Sequence, residues 1–290
     1  MAEEESIRPA LEPTSLDQIS RNWLKYRLNV IEEETKKDVL AILGPIEYGV
    51  DIPVRIALER LPPSKKALLV ILDTPGGLVE VVQRIVKTLR NFYEVVHFVI
   101  PNRARSAGTV LAMSGDAIYM DYFSCLGPID PQIPSGDRMV SALSYRRQYD
   151  RLVKKSANTG LAAAEFALLD KLDLAQLDQI ELAAELSKSL IQEWLSTYKF
   201  KDWVKDGVSV EPRIKQQRAE EIANKLNDHE RWYSHGHGIH KDVLERDLKL
   251  KIDDYSNNPN FRDIIWQYFW PSREYCIQNQ FTLVQTRSYP

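Results

Sequence analysis

Two short segments constrain this chain more than any overall property: Leu72-Asp73-Thr74-Pro75-Gly76-Gly77 and Ala104-Arg105-Ser106-Ala107-Gly108-Thr109. Each follows an apolar run, Ala67 to Leu72 in one case and Val95 to Ile100 in the other. Both runs are rich in Leu, Val and Ile and have the length of strands buried on both faces. In an open parallel sheet, ligands bind beyond the carboxyl ends of the strands. A glycine pair and a serine flanked by small residues therefore face one crevice, and those residue types suit acyl transfer.

The neighbouring sequence fits the same architecture. Ser15-Leu16-Asp17-Gln18 has the form of a capping box and opens a mixed, charged helix to about Glu34. Asp38 to Leu43 reads as a strand ending at Gly44-Pro45, and Asp51 is expected to cap a helix running to Leu61 before Pro62-Pro63. After Gly76-Gly77, apolar residues at Leu78, Val81, Val82, Ile85, Val86 and Leu89 fall on one helical face. Strands alternating with helices imply right-handed crossovers and a parallel sheet. The expected division is an N-terminal helical arm over 1–34, an α/β core over 35–135, and a helical extension with the C-terminal region over 136–290. Within the extension, Leu177, Ile180, Ala184, Ile191, Trp194 and Leu195 read as core or oligomer contacts, and the aromatic stretch Phe261 to Trp270 as a docking segment.

Composition excludes several classes. With 290 residues and a formal net charge of −3, opposite charges interspersed, the chain carries no field that would draw it as a whole to nucleic acid or anionic lipid. The basic side formed by Arg146, Arg147, Arg151, Lys154 and Lys155 reads as a solvated helix face. No apolar run reaches membrane-spanning length and the acidic N-terminus has no leader-like apolar stretch, so a soluble cytoplasmic protein without a stable membrane span is expected. Cys125 and Cys276 have neither metal-ligand spacing nor a disulfide framework, and no H-E-x-x-H or comparable pattern occurs, so neither a metal nor a cofactor is expected.

Acyl transfer needs donors aimed at a developing oxyanion and a nucleophile within reach. Gly76 and Gly77 allow a carbonyl to approach the main chain, with the Gly77 amide as first donor. Ser106 opens a helix, and the Ala107 amide is the second donor. Losing one such donor costs about 2.7–4 kcal/mol of transition-state stabilisation. Taken singly, a glycine pair is ordinarily a turn and a serine before a helix ordinarily a cap. The phosphate-binding patterns G-x-G-x-x-G and G-x-x-x-x-G-K-[ST] are absent at these turns, and no G-x-S-x-G surrounds Ser106.

These two motifs, followed by Ser124-Cys125-Leu126-Gly127-Pro128-Ile129-Asp130-Pro131-Gln132, occur in an order that resembles the serine dehydrogenase proteinase family. That family is a Clp-fold serine peptidase group related to the Clp proteolytic subunit and to signal peptide peptidase A, and it shares its wider fold with crotonases. The resemblance is strongest from about Asp38 to Gln132. It continues more weakly through Tyr145 and Tyr149, Glu193-Trp194-Leu195, Lys199-Phe200-Lys201-Asp202-Trp203, and Trp232 to Tyr255. It implies a Clp/crotonase-like α/β fold and an ATP-independent peptidase with a peptide or unfolded-protein substrate, working as a homo-oligomer. Ser106 matches the nucleophile, and Gly77 with Ala107 the oxyanion donors.

The general base stays open on sequence. In the Clp proteolytic subunit a histidine follows the serine by about two dozen residues, whereas here that stretch is Gly127-Pro128-Ile129-Asp130. A lysine can serve instead when burial lowers its amine toward neutrality. Lys154 and Lys155 lie in the expected region, Lys154 pointing away from the apolar side and Lys155 on its flank; Lys171 is a weaker candidate. His235, in a polar turn that can fold over the site or over a neighbouring subunit's site, is the imidazole alternative. Turn capping is its ordinary role. Two other functions share the fold: a crotonase-like acyl-CoA enzyme, which has no use for a serine at 106, and a non-catalytic assembly or adaptor protein.

Overall fold

The computed structural model describes residues 15–61, 65–135, 138–170 and 173–289. In chain order the elements are α1 (Leu16–Thr35), β1 (Asp38–Leu43), α2 (Asp51–Arg60), β2 (Ala67–Asp73), α3 (Val79–Phe92), β3 (Val95–Val99), β4 (Arg103–Ala104), α4 (Ala107–Ala112), β5 (Ala117–Met120), β6 (Cys125–Leu126), β7 (Gln132–Ser135) and β8 (Arg138–Ser141). The second half continues with α5 (Ala142–Thr159), α6 (Ala163–Leu169), α7 (Leu174–Trp194), β9 (Val204–Lys205), β10 (Val208–Ser209), α8 (Pro212–Asn227), α9 (His229–Trp232), β11 (Ile239–His240), α10 (Lys241–Asp247), β12 (Asp253–Asp254), α11 (Pro259–Asn279) and β13 (Leu283–Gln285).

A six-stranded sheet in the order β12-β5-β3-β2-β1-β13 forms the centre of an α/β, Clp-like fold. Its β1, β2, β3, β5 and β12 are mutually parallel, and β13 closes one edge antiparallel to β1. The sheet is thus mixed rather than purely parallel. An antiparallel edge strand is reached from α11 by a short turn, with no crossover to build.

The apolar runs serve two cores at once. Leu40 and Ile42 of β1, with Leu68, Val70 and Leu72 of β2, pack into the core under α2, α3, α4, α7 and α8. Their alternate neighbours Val39, Ala41, Leu43, Leu69 and Ile71 pack under α1 and α11. Side chains alternate with period two, so continuous apolarity is what a strand covered on both faces requires. The helix expected after Gly77 forms as α3, burying Val81, Val82, Ile85, Val86 and Leu89. At about 1.5–3 kcal/mol for each large aliphatic side chain, that face alone anchors the helix.

Two local expectations are corrected. Val50, not Asp51, is the N-cap of α2; the chain is already helical there, and the Asp51 carboxylate instead crosses to Arg84 of α3 at 2.8 Å. Only half of the expected capping box forms at α1: Ser15 Oγ accepts the Gln18 amide at 3.1 Å, while the Gln18 side chain donates to Asn22. Segments from 136–290 also join the core that 35–135 builds. β12 and β13 complete the main sheet, and α11 with its aromatic Tyr268 and Phe269 covers one face together with α1. Both cysteines are free thiols, and among the described residues no helix is long and apolar enough to cross a membrane.

Candidate active site

The site is built by a second, smaller sheet. In it β4 runs parallel to β6, and β11 runs antiparallel to β6, with Ala104 opposite Leu126 and Leu126 opposite Ile239. Single bridges extend the row, joining Thr74 to Ala104 and Gly77 to Ile46. Segments far apart in sequence therefore end side by side, and the residues adjoining these strand ends line one cavity. Asp130 follows Leu126 by four residues and His235 precedes Ile239 by four, so the β6–β11 pairing brings the segments that carry them to the same place.

That pairing is made. His235 Nδ1 lies 2.9 Å from Asp130 Oδ1, and the Asp130 side chain is 1% exposed. Asp130 Oδ2 is buried with no hydrogen-bond partner among the described residues. A buried carboxylate whose contact is an imidazole favours a ring with a proton on Nδ1 and stabilises positive charge on that ring. The turn bearing His235 is fixed from below by buried Trp232, whose Nε1 donates to the Lys225 carbonyl of α8 at 2.7 Å. The same helix end accepts the Ile129 amide through the Leu226 carbonyl at 3.0 Å. One helix thus holds both partners.

His235 and Ser106 line a single cavity of about 730 Å³, together with Gly77, Leu78, Ile129 and Leu186. Among the described residues, no hydrogen bond closes between Ser106 Oγ and the ring. Ser106 is the N-cap of α4 and has φ 51° and ψ −121°, a conformation that costs a residue with a Cβ about 1–3 kcal/mol. The surroundings impose it. The fully buried Thr109 hydroxyl lies 2.8 Å from the Ala104 carbonyl and 2.9 Å from the Gly127 carbonyl, and it accepts the Gly127 amide at 2.9 Å. The ends of β4 and β6 are tied around the serine by this one side chain.

The glycine pair fits for two separate reasons. At Gly76, φ is +114°, and a Cβ would stand 2.7 Å from that of Ser106. At Gly77, φ is +146°, and a Cβ would meet the Ile46 carbonyl oxygen at 2.0 Å. Among the described residues, no hydrogen bond takes the amide of Gly77 or of Ala107. Asp73, before the pair, braces the turn by accepting from Asn102 Nδ2 at 2.9 Å and from the Arg103 amide at 3.3 Å. Burial pushes its carboxyl above the usual range, opposed by those hydrogen bonds and by Arg103.

Of the sequence candidates, Ser106, Gly76, Gly77, Ala107 and His235 gather at this place. Lys155 does not: its exposed amine is held by the Glu165 carboxylate at 2.6 Å on the outer side of α5. Lys154 lines an open surface depression with Arg146, Arg147 and Arg151. Lys171 lies outside the described residues. The residue missed by sequence reasoning is Asp130, although its segment was singled out; the only sign of its role is the strand register, which needs β11 to be known. Among the described residues no group of three or more His, Cys, Asp or Glu side chains could hold a metal ion.

Residues 26–164 match the family of ClpP-like SDH-type serine proteinases. An uncharacterized protein of Methanocaldococcus jannaschii is 39% identical over 123 residues, covering 37% of this chain and 43% of that protein. The ATP-dependent Clp protease proteolytic subunit of Lactococcus lactis is 28% identical over 107 residues, covering 36% of this chain and 53% of that subunit. The chain thus spans about half or less of the length of these curated relatives. Among solved structures, a mutant of the 1510-N membrane-bound stomatin-specific protease in complex with a substrate peptide is similar at a TM-score of 0.41 and 15% identity, covering 75% of each chain.

Proposed function

We propose that this protein is a serine peptidase in which Ser106 is the nucleophile, His235 the general base and Asp130 the group that orients the ring and stabilises the imidazolium formed during the reaction. The observation that carries this reading is the 2.9 Å contact between His235 Nδ1 and buried Asp130 in the cavity that Ser106 lines. Ser106 Oγ attacks a peptide carbonyl and passes its proton to His235 Nε2; the oxyanion is received by the Gly77 and Ala107 amides. Collapse breaks the C–N bond, and His235 returns the proton to the leaving amine. Water then repeats the sequence on the acyl-enzyme. Nucleophile–base hydrogen bonds are often long before substrate binds and tighten in the complex, so the open Ser106–His235 pair is compatible with this role. A crotonase-like reaction uses the two donors but leaves Ser106, His235 and Asp130 without a role. Peptide or unfolded-protein substrates and a homo-oligomer are inferred from the family, whose ClpP-like members are typically oligomeric.

Labelling with a fluorophosphonate probe tests the assignment. The wild type is expected to label at Ser106, Ser106→Ala not at all, and His235→Gln at least ~10²-fold more slowly, in keeping with the usual contribution of a general base. Failure of the wild type to label, or labelling that persists in Ser106→Ala, overturns it.

A further inference from the structure

The Lys199-Phe200-Lys201-Asp202-Trp203 stretch takes no part in the chemistry above, yet it walls a separate cavity of about 600 Å³ beside Asp116 and Ala117 at the start of β5. Lys199 ends a π-helical turn, Leu195–Lys199, that comes directly after α7. Such turns are rare and recur at functional sites. Among the described residues the Lys199 amine has no hydrogen-bond or ion-pair partner.

The acids nearest to it are already claimed. Asp116 is held by Arg90 at 2.8 Å and by Lys201 at 2.6 Å, and Asp253 lies 3.6 Å from Lys251. Arg218 is paired with Glu221, while Lys249, also on the wall, has no ion pair among the described residues. The ionisable wall thus carries five cations against the carboxylates of Asp116, Asp202 and Asp253. The Lys199 ammonium is partly buried and forms no direct ion pair, Asp253 and Asp116 acting on it only from a distance, so an anion entering the cavity supplies the direct partner it lacks. Beside it stand the tilted rings of Phe200 and Trp203, with centroids 5.5 Å apart, fixed from behind by buried Lys215 donating to the Lys201 carbonyl at 2.6 Å. The volume lies within the range of small-molecule sites.

The geometry points to a binding site for a phosphate-bearing organic molecule, with the phosphate on Lys199 and Lys249 and the organic body against Phe200 and Trp203. The charge state of Lys199 governs occupancy. Burial pushes its amine down to about 8, opposed by Asp253 and Asp116 and reinforced by Lys251. Lys201, Lys249, Arg218, Asp202 and Tyr198 also face the cavity, and His97 nearby is neutral above about pH 4. Anion binding therefore weakens as pH rises through 8.

Calorimetric titration of the full chain with ADP, inorganic phosphate and adenosine tests this. ADP is expected to bind at least tenfold more tightly than either fragment, and its affinity is expected to fall at least tenfold in Lys199→Met and at least tenfold between pH 7 and pH 9.5. The surface variant Lys249→Glu, which disturbs no core contact, is expected to weaken ADP severalfold. No binding of ADP at millimolar concentration, or unchanged affinity in both variants, overturns the site. Adenosine binding as tightly as ADP overturns the phosphate assignment, and inorganic phosphate binding as tightly overturns the aromatic one.

Discussion

The two sheets of this molecule divide its work unequally. The large sheet is made of strands four to seven residues long at its centre, buried on both faces, each paired to a neighbour close to it in sequence. The small sheet consists of two-residue strands, Arg103–Ala104, Cys125–Leu126 and Ile239–His240, and its last member comes from more than a hundred residues away. One supplies the apolar burial that stabilises the fold. The other supplies little burial but brings together, by its pairing, the segments whose side chains meet at the cavity. Stability and chemistry should therefore respond to different substitutions, and three measurements test that separation.

The largest effect is expected at the small sheet. Asp130→Asn keeps the shape of the side chain but no longer favours the tautomer with a proton on Nδ1, and should lower kcat by about 10⁴ in a peptide-cleavage assay. The thermal midpoint should move little; a loss of activity explained by unfolding would break the comparison. At the large sheet, Leu40→Ala should destabilise the protein by about 2–5 kcal/mol in denaturant titration, because it opens a cavity beneath α2 and α3. Its folded fraction should still label at Ser106 at the wild-type rate. A slowed rate per folded molecule would mean that the two sheets are coupled more tightly than the register argument holds.

The smallest effect concerns pH. Burial pushes His97, on β3, down to about 4 from 6.5, with Lys37 and Lys199 adding to the shift and Asp116 and Asp253 opposing it. Its Nδ1 is buried without a hydrogen-bond partner among the described residues. The unfolded chain therefore takes up this proton at higher pH than the folded one. The stability attached to a neutral His97 is full above about pH 6.5 and is lost as pH falls toward 4. A series of thermal midpoints across that window should decline, and His97→Gln should flatten the decline. An unchanged slope in the variant would assign the acid sensitivity elsewhere.

Much of the large sheet was legible in the sequence. The runs at 38–43, 67–72 and 95–100 and the apolar face of α3 are local patterns, and a strand buried on both faces leaves a continuous apolar run that a reader can find. The antiparallel β13 was not legible, since three residues after a long helix carry no direction of pairing. At the site, the glycine pair and Ser106 were legible because close backbone approach and positive φ restrict which residues can stand there, as the contacts of Gly76 with Ser106 and of Gly77 with Ile46 illustrate.

The choice of partner for Ser106 was not legible. Lys154, Lys155, Lys171 and His235 all satisfied the chemistry, and helical phasing only ranked the first two. Sequence by itself determined the central strand runs and where the glycine pair and Ser106 stand at their ends, because backbone geometry and burial act on neighbouring residues. Tertiary structure alone decided that Lys155 faces Glu165 and that His235 faces Asp130. An antiparallel pairing between residues 126 and 239 is a long-range contact, and no local preference of either segment encodes it.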